Sequence, residues 1–254
     1  MTEFRGLVSV VIPALNEQFG IEKTISSIPK ATIQDKLGYD VEVIVIDGDS
    51  ADSTKDVARK MGARVIVEKQ KGYGRAYKTG FAAAKGDIIV TMDADNTYPA
   101  EYIPEYIRQL NEKDLDFITI NRFPGMTNGA MSLTRKFGNK ILAFVMRILY
   151  SVNLRDSQSG MWLMKKSFIS TIHLNADDMS MSEEIKIIAF KFFKSAELNG
   201  KYSVRTGTAK LDVIEHGWRN LNYLFLYKKL LKFAIKSSTT NKEKVYLETP
   251  NKNI

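Results

Sequence analysis

The chain has 254 residues, of which 44% are hydrophobic and 26% charged, a composition that suits one large α/β domain and gives no reason to expect disorder outside its end. It contains no cysteine, which excludes disulfides and thiolate chemistry. The formal net charge of +8 leaves three classes of anionic partner open: nucleic acid, a membrane surface, or a phosphate-bearing substrate.

Met1 to Pro13 carries an early acidic residue and runs straight into a strand-like stretch, unlike a signal peptide, so a cytoplasmic protein is expected. Apolar, β-branched runs follow in order: Leu7 to Ile12, Val41 to Ile46, Val65 to Val67, Ile88 to Met92 and Phe117 to Ile120. Val/Ile runs without polar alternation suit strands buried on both faces of a parallel sheet. Helical patterns lie between them, over Glu17 to Ser27, Asp52 to Met61, Arg75 to Lys85 and Pro99 to Asn111. Alternating strands and helices predict a doubly wound α/β sheet over about residues 7–120. Such sheets bind ligands beyond the carboxyl ends of their strands. The unusual residues fall there: Pro13-Ala14-Leu15-Asn16-Glu17, Asp47-Gly48-Asp49-Ser50 and Asp93-Ala94-Asp95 each follow a strand.

Beyond residue 130 the character changes. Residues 137–150 are strongly apolar but far short of the ~20 residues that span a bilayer, which leaves a buried helix or one lying in a membrane interface. Residues 218–236 set Lys228, Lys229, Lys232 and Lys236 beside an apolar face, a pattern that suits a helix on anionic lipid; a core-packing helix is the alternative. The sequence thus reads as one domain over residues 1–236 with amphipathic helices near its end, followed by a loose polar tail over 237–254.

Asp93 and Asp95, just past a buried strand, offer carboxylates to a hard divalent cation, Mg²⁺ or Mn²⁺, which would neutralise a departing diphosphate. Gly72-Tyr73-Gly74-Arg75-Ala76 precedes a helix and offers backbone N–H groups to phosphates, although taken by itself a plain glycine turn explains it better. Asp47 is a candidate acceptor for a base or ribose, or a turn cap.

Taken together, residues 10–17, 45–54, 71–84 and 92–95 resemble the successive signatures of family 2 glycosyltransferases of the GT-A fold. Asp156-Ser157-Gln158-Ser159-Gly160-Met161-Trp162, Arg205 to Leu211 and Gly217-Trp218-Arg219 resemble the dolichyl-phosphate mannose synthase-like branch. The resemblance implies a mostly parallel sheet flanked by helices and a nucleotide-sugar donor bound by Pro13, Asn16, Glu17, Asp47, Asp49, Lys71, Gly72, Gly74, Arg75 and Ala94. It assigns metal and diphosphate to Asp93 and Asp95, the acceptor phosphate to Arg122 and Arg135, and closure over phosphates to Arg205 and Lys210. Asp156, Ser159 and Gly160 would border the sugar, and Glu184 resembles the acidic residue that follows. The implied acceptor is dolichyl or polyprenyl phosphate, met on the cytoplasmic face of a membrane.

Thr97 stands where mannose synthases commonly carry a third metal ligand, Gln, and Asn96-Thr97-Tyr98-Pro99 resembles relatives that use UDP-sugars, so the donor leans from GDP-mannose to UDP. Transfer to a phosphate needs little base help and predicts single displacement with inversion. Transfer to a glycan hydroxyl would instead require a carboxylate base, for which Glu183 or Glu184 is the nominee. A nucleic-acid-binding role leaves the acidic strand ends unexplained, and none is expected.

Overall fold

The structure is a computed structural model that describes residues 4–207 and 213–238. Seven strands form one sheet: β1 (Gly6–Ala14), β2 (Tyr39–Asp47), β3 (Arg64–Val67), β4 (Ile88–Thr91), β5 (Phe117–Met126), β6 (Trp162–Lys165) and β7 (Ser195–Tyr202). Their order is β3-β2-β1-β4-β6-β5-β7. The β1–β2, β1–β4, β2–β3 and β5–β7 pairs are parallel, and β6 runs antiparallel to both β4 and β5. This is the mostly parallel sheet that the Val/Ile runs predict.

Both faces are covered, which is why β1, β2 and β4 read as continuous apolar runs. Val8, Val10 and Ile12 of β1 face one core, against α1 (Ile21–Ser26), α2 (Lys30–Leu37) and α5 (Ile103–Glu112), which follows a 3₁₀ turn at Ala100–Tyr102. Val11, Ile44, Ile46 and Ile89 face the other, against α4 (Tyr73–Ala83), α6 (Leu133–Tyr150), α8 (Met181–Phe192) and α9 (Val213–Ser238). Helices α3 (Thr54–Lys60) and α7 (Lys166–Thr171) complete the fold. Ala14 of β1 pairs with Asp47 of β2, and Val11 with Thr91 of β4, so the three acidic strand ends share one edge of the sheet.

Two departures from the sequence pattern have local causes. The first helix starts at Ile21 rather than Glu17, because Asn16 adopts a left-handed backbone (φ 51°) and Glu17 to Gly20 form a turn. Strands β6 and β7 were not foreseen: β6 is four residues long, and β7 is an edge strand with few buried side chains.

The two apolar C-terminal segments are helices with two apolar faces each. In α6, Asn139, Leu142, Ala143, Met146 and Tyr150 point inward, whereas Leu133, Phe137, Ile141, Phe144 and Ile148 form an exposed row at helical spacing. In α9, Leu224, Tyr227 and Leu231 pack inward, and Trp218, Phe225 and Leu226 are exposed. No helix among the described residues is long and apolar enough to cross a membrane. The side chains of Lys232 and Lys236 lie outside the described residues; of the tail expected over 237–254, residues 237 and 238 continue α9 and the rest lies outside the described residues.

Candidate active site

Strand β4 delivers Asp93, Ala94 and Asp95 to the carboxyl edge of the sheet. The Tyr73 hydroxyl, on the first turn of α4, donates to Asp93 Oδ1 at 3.2 Å. Removal from water and the neighbouring Asp95 push the Asp93 carboxyl up to about 7. Asp95 is buried, and its Oδ1 accepts from both the backbone N–H (3.2 Å) and the hydroxyl (2.7 Å) of Thr97. Thr97 thus orients Asp95, its hydroxyl committed to that carboxylate. Arg205 lies across the pair: Nη2 donates to Glu17 Oε1 at 2.9 Å and Nη1 stands 3.7 Å from Asp95 Oδ2. The Arg205 Nε–H is buried with no partner among the described residues.

Opposite Asp93 runs the loop from Asp156 to Gly160. A Cβ on Gly160 would fall 2.5 Å from the Tyr73 hydroxyl and 2.9 Å from Asp93 Oδ1, so only glycine fits there. The Gly160 N–H donates to the Tyr98 hydroxyl at 2.7 Å, and its carbonyl accepts from Thr91 Oγ1 at 2.7 Å. Asp156 and Arg122 form a buried bidentate pair, Nε to Oδ2 at 2.7 Å and Nη2 to Oδ1 at 2.8 Å, with the guanidinium 5.1 Å from the Tyr202 ring centroid. Burial opposes ionisation of Asp156, but Arg122 holds its carboxyl below the usual range.

The loops after β1 and β2 brace each other. Asn16 Oδ1 accepts from Ala51 N–H at 2.8 Å, the Asn16 N–H donates to Ser50 Oγ, and the Glu17 N–H donates to Thr54 Oγ1. Asp47 is buried, with both carboxylate oxygens held by Ser50 at 2.7 Å, so its visible work is to shape this loop. Asp49 takes a left-handed backbone (φ 63°) and a half-exposed side chain near Lys55. Lys71 Nζ ties the loop before α4 to the Gly48 carbonyl at 2.7 Å. Pro13 closes the end of β1 beside Ile46, and Ala94 is buried between Asp93 and Asp95.

Gly72 and Gly74 have a packing reason: a Cβ on Gly72 would meet the Asp177 carbonyl oxygen at 2.2 Å, and one on Gly74 the Ala176 carbonyl oxygen at 2.7 Å. The Arg75 N–H donates to Asp177 O and its side chain pairs with Glu68, so this segment is tied to the loop before α8. Arg135 sits in the first turn of α6, its N–H capped by Ser132 Oγ at 3.3 Å; its side chain has no hydrogen bond or ion pair among the described residues. Lys210 lies outside the described residues.

Both nominated bases lie in the first turn of α8 and accept hydrogen bonds there. Glu184 accepts from Asn175 and from the Ala176 N–H, which fixes the loop before α8. Glu183 is fully buried and its carboxyl pushed well above the usual range by burial, with Gln158 Nε2 on Oε1 at 2.8 Å. The residues the sequence reading passed over are Tyr73, Tyr98, Tyr202 and Lys186. Tyr73 and Tyr98 lie inside the quoted motifs, next to the residues singled out, but an aromatic there reads first as packing.

The profile of Glycosyl transferase family 2 matches residues 9–172, from β1 through α7. The chain belongs to that family. It is 33% identical over 224 residues to the low-salt glycan biosynthesis hexosyltransferase Agl6 of Haloferax volcanii, covering 86% of this chain and 53% of that protein, so it spans about half of that relative. It is 31% identical to the dolichyl-phosphate hexose transferase of the same organism (83% of this chain, 89% of that protein). It is also 28% identical to the dolichol-phosphate mannosyltransferase of Pyrococcus furiosus (90% and 67%). Among solved structures, glucosyl-3-phosphoglycerate synthase of Mycobacterium tuberculosis, with Mn²⁺, uridine diphosphate and glucosyl-3-phosphoglycerate, shares the fold at a TM-score of 0.70 and 24% identity, covering 88% of this chain and 80% of that one. This family 2 chain is a glycosyltransferase with the GT-A fold.

Proposed function

We propose that this transferase moves a hexose or N-acetylhexosamine from a UDP-sugar to dolichyl or polyprenyl phosphate, with inversion. The observation that carries it is the acidic pair Asp93–Asp95 at the end of β4, enclosed by Gly160 and the Arg122–Asp156 pair. Two neighbouring carboxylates, one of them pushed up to about 7 by burial and by the other's charge, fit a divalent cation. Among the described residues no group of three or more His, Cys, Asp or Glu side chains gathers, so diphosphate oxygens and water would have to complete the coordination of Mg²⁺ or Mn²⁺. Such an ion would neutralise the charge developing on the leaving diphosphate.

The protein's own part is positioning and charge. Glu17, Asn16 and the Asp47–Ser50 turn form a braced rim for the nucleoside, to which Pro13, Asp49, Lys71 and Ala94 contribute backbone and side-chain surface. Arg205, whose Nε–H has no partner among the described residues, is apt to receive a phosphate oxygen. An acceptor phosphate oxygen attacks the anomeric carbon, that carbon's bond to the diphosphate breaks, and UDP departs with the electron pair. No proton need be removed from a phosphate already ionised, and the hydrogen-bond commitment of Glu184 and the full burial of Glu183 disfavour the glycan-hydroxyl alternative.

The lipid acceptor draws support from the names of two relatives and from the exposed apolar row of α6, flanked by Lys140 and Arg147. The same row supports a peripheral seat on an anionic membrane. A screen of UDP- and GDP-sugars against polyprenyl phosphate with Mg²⁺ or Mn²⁺, products read by mass spectrometry, tests the reading. A lipid-phosphohexose from a UDP donor is expected, and a product only from GDP-mannose, or only on a glycan, contradicts it.

A further inference from the structure

Lys186 has no part in the chemistry above, yet it is one of the most buried side chains in the protein. Its Nζ donates to the carbonyl oxygens of Ser157 and Ser159, each at 2.7 Å, and to Ser182 Oγ at 3.0 Å, and lies 5.4 Å from the Trp162 ring centroid. An ammonium has three N–H donors, and all three are used. Burial draws its proton affinity down to about 7, against the pull of Asp156; Glu197 and Glu183 also face it and favour the charge, while Arg122 opposes it. An apolar side chain would fill the same space without that cost. What the charge supplies must therefore be sought in what it holds.

It holds the loop that closes the site. Between Asp156 and Gly160 the backbone has no regular structure, so its carbonyls need partners from elsewhere. Lys186 takes alternate carbonyls of this loop, and the Trp162 indole N–H (2.7 Å) reinforces the one at Ser159. With Ser157 and Ser159 drawn toward α8, Asp156 meets Arg122, Ser159 Oγ comes 3.3 Å from the Tyr98 hydroxyl, and Gly160 lies against Asp93.

We infer that Lys186 is a positioning residue for sugar transfer: its ammonium fixes the Asp156–Gly160 loop through two carbonyls and so sets Gly160 against Asp93 and Asp156 against Arg122. The inference rests on the transferase site described above. It requires the loop, and not merely the core, to depend on this side chain.

The test is Lys186→Met in the full chain, read three ways. Binding of UDP with Mn²⁺ should stay within about threefold, because Asp93 and Asp95 hang from β4, while kcat for transfer from UDP-glucose to polyprenyl phosphate should fall by about a hundredfold. Amide exchange at Gln158 to Gly160 should quicken by about tenfold with the amides of β1 and β2 unchanged. Ser182→Ala removes one acceptor of the ammonium together with the hydroxyl's own longer contacts to the Ser157 (3.2 Å) and Ser159 (3.4 Å) carbonyls, and a fall in kcat of about three- to tenfold is expected there. It decides the question if Lys186→Met does not fold. A folded Lys186→Met with kcat near that of the unaltered protein, exchange that rises evenly across the sheet, or a Ser182→Ala enzyme of full activity overturns the inference. If the unaltered protein does not glucosylate polyprenyl phosphate, the acceptor assignment fails, and the exchange arm still decides the role of Lys186.

Discussion

Gly160 lies so close to Asp93 that a Cβ would fall 2.9 Å from Oδ1, and the contact joins the loop before β6 to the acidic end of β4. Alanine there must displace either the Tyr73 hydroxyl or the Asp93 carboxylate. The loop is held by Tyr98 and Thr91, so the carboxylate side gives way. Gly160→Ala should fold normally by circular dichroism and lose about a hundredfold in kcat. Unimpaired turnover would mean that the Asp93–Gly160 contact has no bearing on transfer.

Arg205 stands between Glu17 and Asp95 as a cation in the place where the diphosphate and its metal would gather. Removing it frees both carboxylates from a positive neighbour and takes away a donor for phosphate. Arg205→Ala should bind Mn²⁺ at least as tightly as the unaltered protein, by titration calorimetry with UDP absent. Its kcat should fall by about a hundredfold or more. Weaker Mn²⁺ binding with normal kcat would invert this assignment.

The Asp93 carboxyl is pushed up to about 7 in the metal-free protein, far above its unfolded value. Two consequences follow in sign. The folded state holds a proton that the unfolded state has already released, so the metal-free protein loses stability as pH rises through about 7. A metal must displace that proton, so Mn²⁺ affinity should weaken by up to about tenfold per pH unit below 7 and level off above it. Calorimetry across this range, in buffers of different ionisation enthalpy, should register the released proton. A flat affinity profile would contradict a protonated Asp93.

Much of this was legible in the sequence because parallel strands announce themselves. Val8 to Ile12, Val43 to Ile46 and Ile88 to Thr91 are buried on both sides, and the acidic clusters that follow them occupy one edge because the strands are parallel and in register. What stayed hidden is what sequence distance separates. Nothing in Lys186 as a letter among Ile185, Ile187 and Ile188 tells whether it faces solvent, and an amphipathic pattern would have placed it outside. Asp47 and Gly74 have local roles that the sequence does not show, because a strand-end aspartate and a glycine before a helix serve turns and close packing as well as ligands. The Arg122–Asp156 pair joins residues 34 apart in sequence, which the antiparallel insertion of β6 between β4 and β5 brings together.

The apolar row of α6 makes its own forecast. Phe137 and Phe144 are exposed on one face, so replacing both with aspartate should leave the fold intact while opposing burial in lipid and attraction to anionic headgroups. Flotation with vesicles rich in anionic phospholipid should recover the unaltered protein and not Phe137→Asp/Phe144→Asp. Equal recovery of both would remove α6 from the membrane account.

The most direct test of the central claim compares polyprenyl phosphate with the same polyprenol lacking its phosphate, using a radiolabelled UDP-sugar and Mn²⁺. The account predicts label in the butanol-extractable lipid only with the phosphate, abolished by EDTA and by Asp95→Ala. Label on the free polyprenol, or undiminished transfer by Asp95→Ala, would contradict it.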